Sequence, residues 1–277
     1  MRMPKSNQPH MNVWVLTKQK VKEQSWQFLI TIAGCIVLGY FFGVENAIKS
    51  SFSILFFHAS TLWGYYYKKY HAEFMCKFAQ ANNLSYQTEG SVNNRHGKLF
   101  DHQSKGRLFN LIGGTILNFP SELYNYSFET GMGKHKVTHC VTVLQINFKG
   151  LVPHFTVLER NETIDSILRY RNGEYEHELE GDFYKYYKLY ITDHQEIEIL
   201  EILTPEIMAF MIDEAKHLSF EFTANQLYIY QNHYIADSKD LEKFTALARL
   251  LIERLQKRIG RLHDDVAAIR SVTDRYK

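Results

Sequence analysis

Cysteine is scarce in this chain: three among 277 residues. Cys35, Cys76 and Cys140 are odd in number and share no metal-ligand spacing, so neither a disulfide framework nor a zinc pattern follows. One-sided charge is lacking too. The balance is +2, too small to point to nucleic acid. No Gly-x-Ser-x-Gly elbow and no His-Glu-x-x-His pair occurs. There is no internal repeat and no low-complexity tract. Gly131-Met132-Gly133-Lys134 lacks the spacing and the following hydroxyl of a phosphate loop and reads as a hairpin turn. Gly113-Gly114 carries no nucleotide fingerprint. The expectation is a non-enzymatic chain with no catalytic residue, no cofactor and no metal.

What is present is apolar length. Trp26 to Val44 holds no charge and is dense in Phe, Leu, Ile and Val. Roughly 20 such residues span a bilayer as a helix, and Gly34 and Gly39 are the small residues that spanning helices tolerate. A second, more polar run covers Ser50 to Tyr67. It ends in Trp63-Gly64-Tyr65-Tyr66-Tyr67 and is followed by Lys68 and Lys69, as at a headgroup interface. The residues expected at the membrane interface are Trp26, Trp63, Tyr66, Lys68 and Lys69. His58, in the middle of this run, reads as a neutral histidine bonded to a neighbouring hydroxyl.

Basic residues flank both outer ends: Arg2, Lys5, Lys18, Lys20 and Lys22 before, and Lys68, Lys69 and Lys77 after. Only Lys49 lies between. The asymmetry predicts a transmembrane hairpin over 26–67 with both termini in the cytoplasm. Residues 1–25 then form a cytoplasmic segment, 68–236 a cytoplasmic α+β domain, and 237–277 a long amphipathic helix.

Past the second run, Tyr66, Tyr70, Phe74 and Phe78 mark one face of a continuing helix, and Asn82-Asn83 a stop. Period two then takes over. Thr138, Cys140, Thr142, Leu144, Ile146 and Phe148 form the more apolar set of one strand and are expected to face the core. Tyr124 to Glu129 precedes it. Lys149-Gly150 turns the chain into Pro153–Leu158 as the next antiparallel strand. Tyr184 to Thr192 is a further strand, and Leu218–Thr223 with Gln226–Tyr230 a hairpin. Thr204-Pro205-Glu206 opens a helix, with threonine as cap.

The last helix starts near Asp237-Ser238. Leu241, Ala248, Leu255, Leu262 and Ile269 recur in sevens beside Ile252, Ile259 and Val266. Its apolar stripe exceeds what a compact domain covers, so Leu255, Leu262, Val266 and Ile269 are expected to meet a protein partner or a second copy. Arg258 and Asp265 in the seam argue against a tight coiled coil. Arg249, Arg254, Lys257, Arg258 and Arg261 form its basic side and read as a solvated face, with anionic lipid as the other reading.

His135, His139, Cys140 and His154 could suggest zinc. Residues four apart on a strand lie ~13 Å apart, too far to share an ion. Glu178, Glu180 and Asp182 read as a solvated acidic loop. A membrane-tethered hydrolase using the His154 and Asp182 loops, and a lipid- or peptide-binding cleft, are the alternatives to an interaction module.

The stretches Ala81-Asn82-Asn83-Leu84-Ser85-Tyr86, His135 to Phe155, Leu179–Phe183 and Leu203–Met208 resemble an uncharacterised bacterial family, domain of unknown function 3137. The resemblance spans roughly residues 25 to 255. It implies two membrane helices followed by a cytoplasmic α+β domain at a bacterial-type inner membrane, and no activity or functional residue.

Overall fold

The computed structural model describes residues 44–273 apart from 94, 102–105, 117, 131–132, 149–151, 161–173, 180, 193–194, 224 and 236. Side chains before residue 60, Phe56 excepted, and after residue 261 lie outside that description. So does the run Trp26–Val44, save the backbone of Val44. The chain divides into two compact units at Phe78/Ala79.

The first unit is described through helix α1, Val44–Ala81, 38 residues long. Ser50–Tyr67 lies within it. Among the described residues, no helix is long and apolar enough to cross a membrane. The physical reason is dilution: Ser50, Ser51, Ser53, His58, Ser60 and Thr61 interrupt the apolar side chains. The buried row is Tyr66, His71, Met75 and Phe78, so Tyr70 and Phe74 of the expected face give way to neighbours one position on. The helix stops where Asn82-Asn83 predicts. Asn83 takes φ 56, and Leu84 N–H donates to Ala79 O at 2.9 Å, a left-handed cap.

The second unit is an α+β domain around a nine-stranded, wholly antiparallel sheet. Its strands are β1 Ser85–Gly90, β2 Arg107–Ile116, β3 Phe119–Thr130, β4 Val137–Asn147, β5 Phe155–Glu159, β6 Glu174–His177, β7 Tyr187–Thr192, β8 Ser219–Thr223 and β9 Gln226–Gln231. The order is β1-β2-β3-β4-β9-β8-β5-β7-β6. The β3–β4 and β8–β9 hairpins are those the sequence predicts. β5 is not β4's neighbour: it lies between β8 and β7. The edge of β4 is taken by β9, whose Leu227 and Ile229 pair with Ile146 and Leu144.

Helices α2 Phe183–Tyr186, α3 Glu196–Ile202, α4 Pro205–Asp213 and α5 Ser238–Thr273 complete the domain. α2 replaces the start of the strand expected from Tyr184. Pro205 opens α4, but Thr204 makes no side-chain cap bond and its hydroxyl is buried without a partner. The Thr204 carbonyl instead accepts Ile207 N–H and Met208 N–H, both at 2.9 Å. Asp237 caps α5 by accepting Asp240 N–H at 2.9 Å.

Tyr187 Oη donates to the Met211 and Ala215 carbonyls, both at 3.2 Å, tying β7 to α4 and the residues after it. Helices α3 and α4 both touch α5. Along α5, Leu241, Phe244, Ala248, Leu251, Ile252 and Leu255 are fully buried, and Ile259 nearly so.

The expectation of one core face on β4 is corrected. From Val141 to Ile146 every residue is buried. Period two says which side chains share a face, not that the other face is wet. Leu144 and Ile146 share one face with Leu227 and Ile229. Val141 and Val143 share the other with Tyr124, Tyr126 and Tyr230, and that face packs on Leu99.

Candidate functional site: a charged strap across the sheet

Opposed residues of an antiparallel pair share a face. Following the register therefore traces one row across six strands: Tyr190, Thr156, Glu221, Tyr228, Gln145 and Glu122. The backbone segment running from Arg95 to Asp101, with a short 3-10 turn at Lys98–Phe100, lies along this row. Arg95 bonds Glu122 at 2.6 Å and Gln145, and stacks its guanidinium 4.4 Å from the Tyr124 ring. His96 N–H donates to Tyr228 Oη at 3.3 Å. Lys98 N–H donates to both Glu221 oxygens, at 2.8 and 3.0 Å. Phe100 then packs on Tyr126 and Tyr228, with ring centroids 4.9 and 5.2 Å apart.

The charges concentrate at one end. The Lys98 ammonium pairs with Glu174, the two side chains being 3% and 1% exposed. It also sits 3.9 Å over the Tyr190 ring, a cation–π contact. His154 Nε2 meets the other Glu174 oxygen at 2.7 Å. His154, with 20% of its side chain exposed, is the member that reaches solvent. Glu221 is wholly buried on a central strand between Phe220 and Phe222. The Thr156 hydroxyl opposite Glu221 is buried without a partner.

Two carboxylates of one cluster diverge in acidity. Burial pushes Glu221 up to about 7, against the Lys98 amide and the charges of His154 and Lys98. Burial also pushes Glu174 up, but hydrogen bonds from His154 and Lys98 outweigh it and hold Glu174 below the usual carboxylate value. The phenols along the strap stay neutral: burial raises Tyr126 to about 12, and Tyr124 and Tyr228 also rise.

Gly97 makes the approach possible. Its φ is +138°, and a Cβ there would lie 3.1 Å from a Glu221 oxygen. Gly97→Ala is expected to cost about 2–4 kcal/mol, combining a glycine-only backbone region with displacement of the carboxylate. A urea melt of the full chain checks this. A loss under about 0.5 kcal/mol, the ordinary surface value, would rule out the clamp.

A cleft bounded by Arg160, Glu176, Leu179, Phe183 and Lys188 holds about 20 Å³, and an apolar one between Leu84, Gly114 and Leu144 about 10 Å³. Each is of the size of a single water.

The residues singled out by sequence fall elsewhere. Trp63 is 54% exposed, and Lys68 and Lys69 are exposed. Tyr66 is buried at 3%, while Tyr65 and Tyr67 beside it are exposed, so the aromatic row turns outward one position either side. Trp26 lies outside the described residues. Leu255 is fully buried in the domain. Leu262, Val266 and Ile269 lie on α5, with side chains outside the described residues. His139 meets Thr130 Oγ1 at 2.7 Å and stacks on Phe128. Among the described residues, no group of His, Cys, Asp and Glu side chains could hold a metal ion.

His154 and Asp182 have separate partners, Glu174 and Lys185. Of the α5 basic cluster, Arg249 pairs with Glu253 at 3.0 Å, Arg258 with Glu206 at 3.5 Å, and Arg254 covers the Phe210 ring. Arg95, Lys98, Glu174 and Glu221 were not singled out. The available signal was a carboxylate between two phenylalanines, in the short strand Ser219–Thr223.

No family model matches the chain, and no curated protein does. Among solved structures, the crystal structure of the mycobacterial trehalose monomycolate transport factor A, TtfA, aligns with a TM-score of 0.47 at 10% identity. The alignment covers 66% of this chain and 95% of that one.

Proposed function

We propose that this chain is a membrane-anchored cytoplasmic interaction module, non-enzymatic, whose last helix meets a second copy of itself. The observation that carries the reading is how α5 leaves its domain. Among the described side chains Ile259 is the last buried one on the helix, Gly260 has open space where a Cβ would stand, and Arg261 is exposed. The helical backbone nonetheless continues to Thr273. At 1.5 Å per residue, that is about 20 Å of helix past Ile259. Leu262, Val266 and Ile269 continue the apolar spacing there.

The anchor is residues 26–67, with both termini on the cytoplasmic side of a bacterial-type inner membrane. It is supported by the uncharged run Trp26–Val44 and the basic flanks. Exposed Trp63, Tyr65 and Tyr67 beside Lys68 and Lys69 suit the headgroup layer.

The test is the oligomeric state of the full chain in detergent, by light scattering on a sizing column. The unsubstituted chain is expected to self-associate weakly, and Leu262→Asp with Ile269→Asp to give monomer with unchanged melting. An oligomer that survives the double change, or an unsubstituted chain already monomeric at high concentration, defeats the reading.

A further inference from the structure

Among the described residues, the charged cluster under Lys98 is out of balance. Lys98 carries one positive charge, and Glu174 and Glu221 two negative ones, all nearly or fully buried. These three sum to −1, and one proton on Glu221 brings the sum to zero. An unbalanced charge in such surroundings is expensive, so the cluster favours holding that proton.

We propose that residues 95–101 are a proton-gated strap, fastened while Glu221 holds a proton and loosened when that proton leaves. Every group that faces Glu221 bears on the gate. Lys98 faces it from the strap, His154 from the approach to β5, Glu174 from β6, and the phenols Tyr228 and Tyr230 from β9. Thr156, opposite on β5, is uncharged. Ionising Glu221 strengthens its bonds to the Lys98 amide but sets two carboxylates against one ammonium. Of these groups, His154 borders solvent.

The strap is also the part that can yield. It holds through side chains and single amides rather than a ladder, whereas the strands beneath are paired on both sides. Loosening it lifts Leu99 and Phe100 from Tyr126 and Tyr228 and bares an aromatic floor. With Glu221 near 7 in place and near its ordinary value when released, opening rises about tenfold from pH 6 to pH 8.

Hydrogen exchange by mass spectrometry on the full chain in detergent tests this, after correction for the intrinsic pH dependence of exchange. Peptides covering 95–101 are expected to lose about tenfold protection from pH 6 to pH 8, while α5 peptides do not follow. Glu221→Gln should flatten that difference. If Glu221→Gln fails to fold, His154→Gln substitutes, and its midpoint should move up, because the His154 charge favours ionised Glu221. Equal strap protection at both pH values in the unsubstituted chain overturns the proposal. So does a pH difference that persists in Glu221→Gln, or a midpoint that stays or vanishes in His154→Gln.

Discussion

Lys98→Ala is expected to destabilise the sheet domain by about 3–5 kcal/mol, with the larger loss at higher pH. The substitution removes the ammonium that pairs with Glu174, whose side chain is 1% exposed. It also removes the cation from the Tyr190 ring and the aliphatic stem packed beneath the strap. What remains is Glu174 with only His154, near a second carboxylate on Glu221.

The sign with pH follows from both groups. In the intact chain Glu174 sits below its ordinary value. Its contribution is therefore present above about 4.5 and lost as pH falls through the lower, folded value. Glu221 sits above its ordinary value, at about 7. Its contribution is full below about 4.5 and fades as pH rises to about 7. Without Lys98 both carboxylates are raised, so the variant loses stability with rising pH more steeply than the parent.

Urea melts of the full chain at pH 5 and pH 8 should show the gap between parent and variant widening. A gap that narrows toward pH 8 would mean packing, not charge, sets the loss. Lys98→Met combined with Glu174→Leu, which removes the pair without stranding Glu174, should recover much of it.

The strength of this network contrasts with how little of it the sequence displays. The β3–β4 and β8–β9 hairpins, the Asn83 stop, the Pro205 start and the onset of α5 were legible because each rests on neighbours in the chain. Their signals are alternation, a turn residue, a cap or a fixed φ. β1, β2, β6 and α3 were not read. The place of β5 was misread because adjacency in sequence suggested β4, while long-range pairing gave that edge to β9.

The charged row is wholly long-range. Lys98 and Glu221 are 123 residues apart, and Arg95 and Gln145 are 50 apart. No local pattern joins them until the strand register is known. Glu221 illustrates the ambiguity. Within Ser219–Thr223, a lone carboxylate ordinarily marks the solvent face of a strand. Here it marks a second buried face, because the strap covers it.

The helix α5 holds the complementary ambiguity, and a substitution separates its two halves. Leu255→Ala is expected to cost about 2–5 kcal/mol, and Leu255→Asp to abolish the cooperative melt altogether. Leu255 is fully buried, as are Leu251 and Ile252 before it, and α5 packs there against α3 and α4. An aspartate at 255 would bury a charge with no partner, whereas the same change at 262 and 269 falls past Ile259, the last buried residue among the described side chains. The seven-residue recurrence from Leu241 to Ile269 carries no mark at this boundary, because helical spacing is the same whether the partner is the domain's own core or another chain. Parallel thermal melts of the full chain decide it. Leu255→Asp should lose its transition, and the 262/269 double change should keep the parental midpoint. If Leu255→Asp melts like the parent, α5 does not pack as described, and if the double change also unfolds, the core of the domain extends along the helix to Ile269.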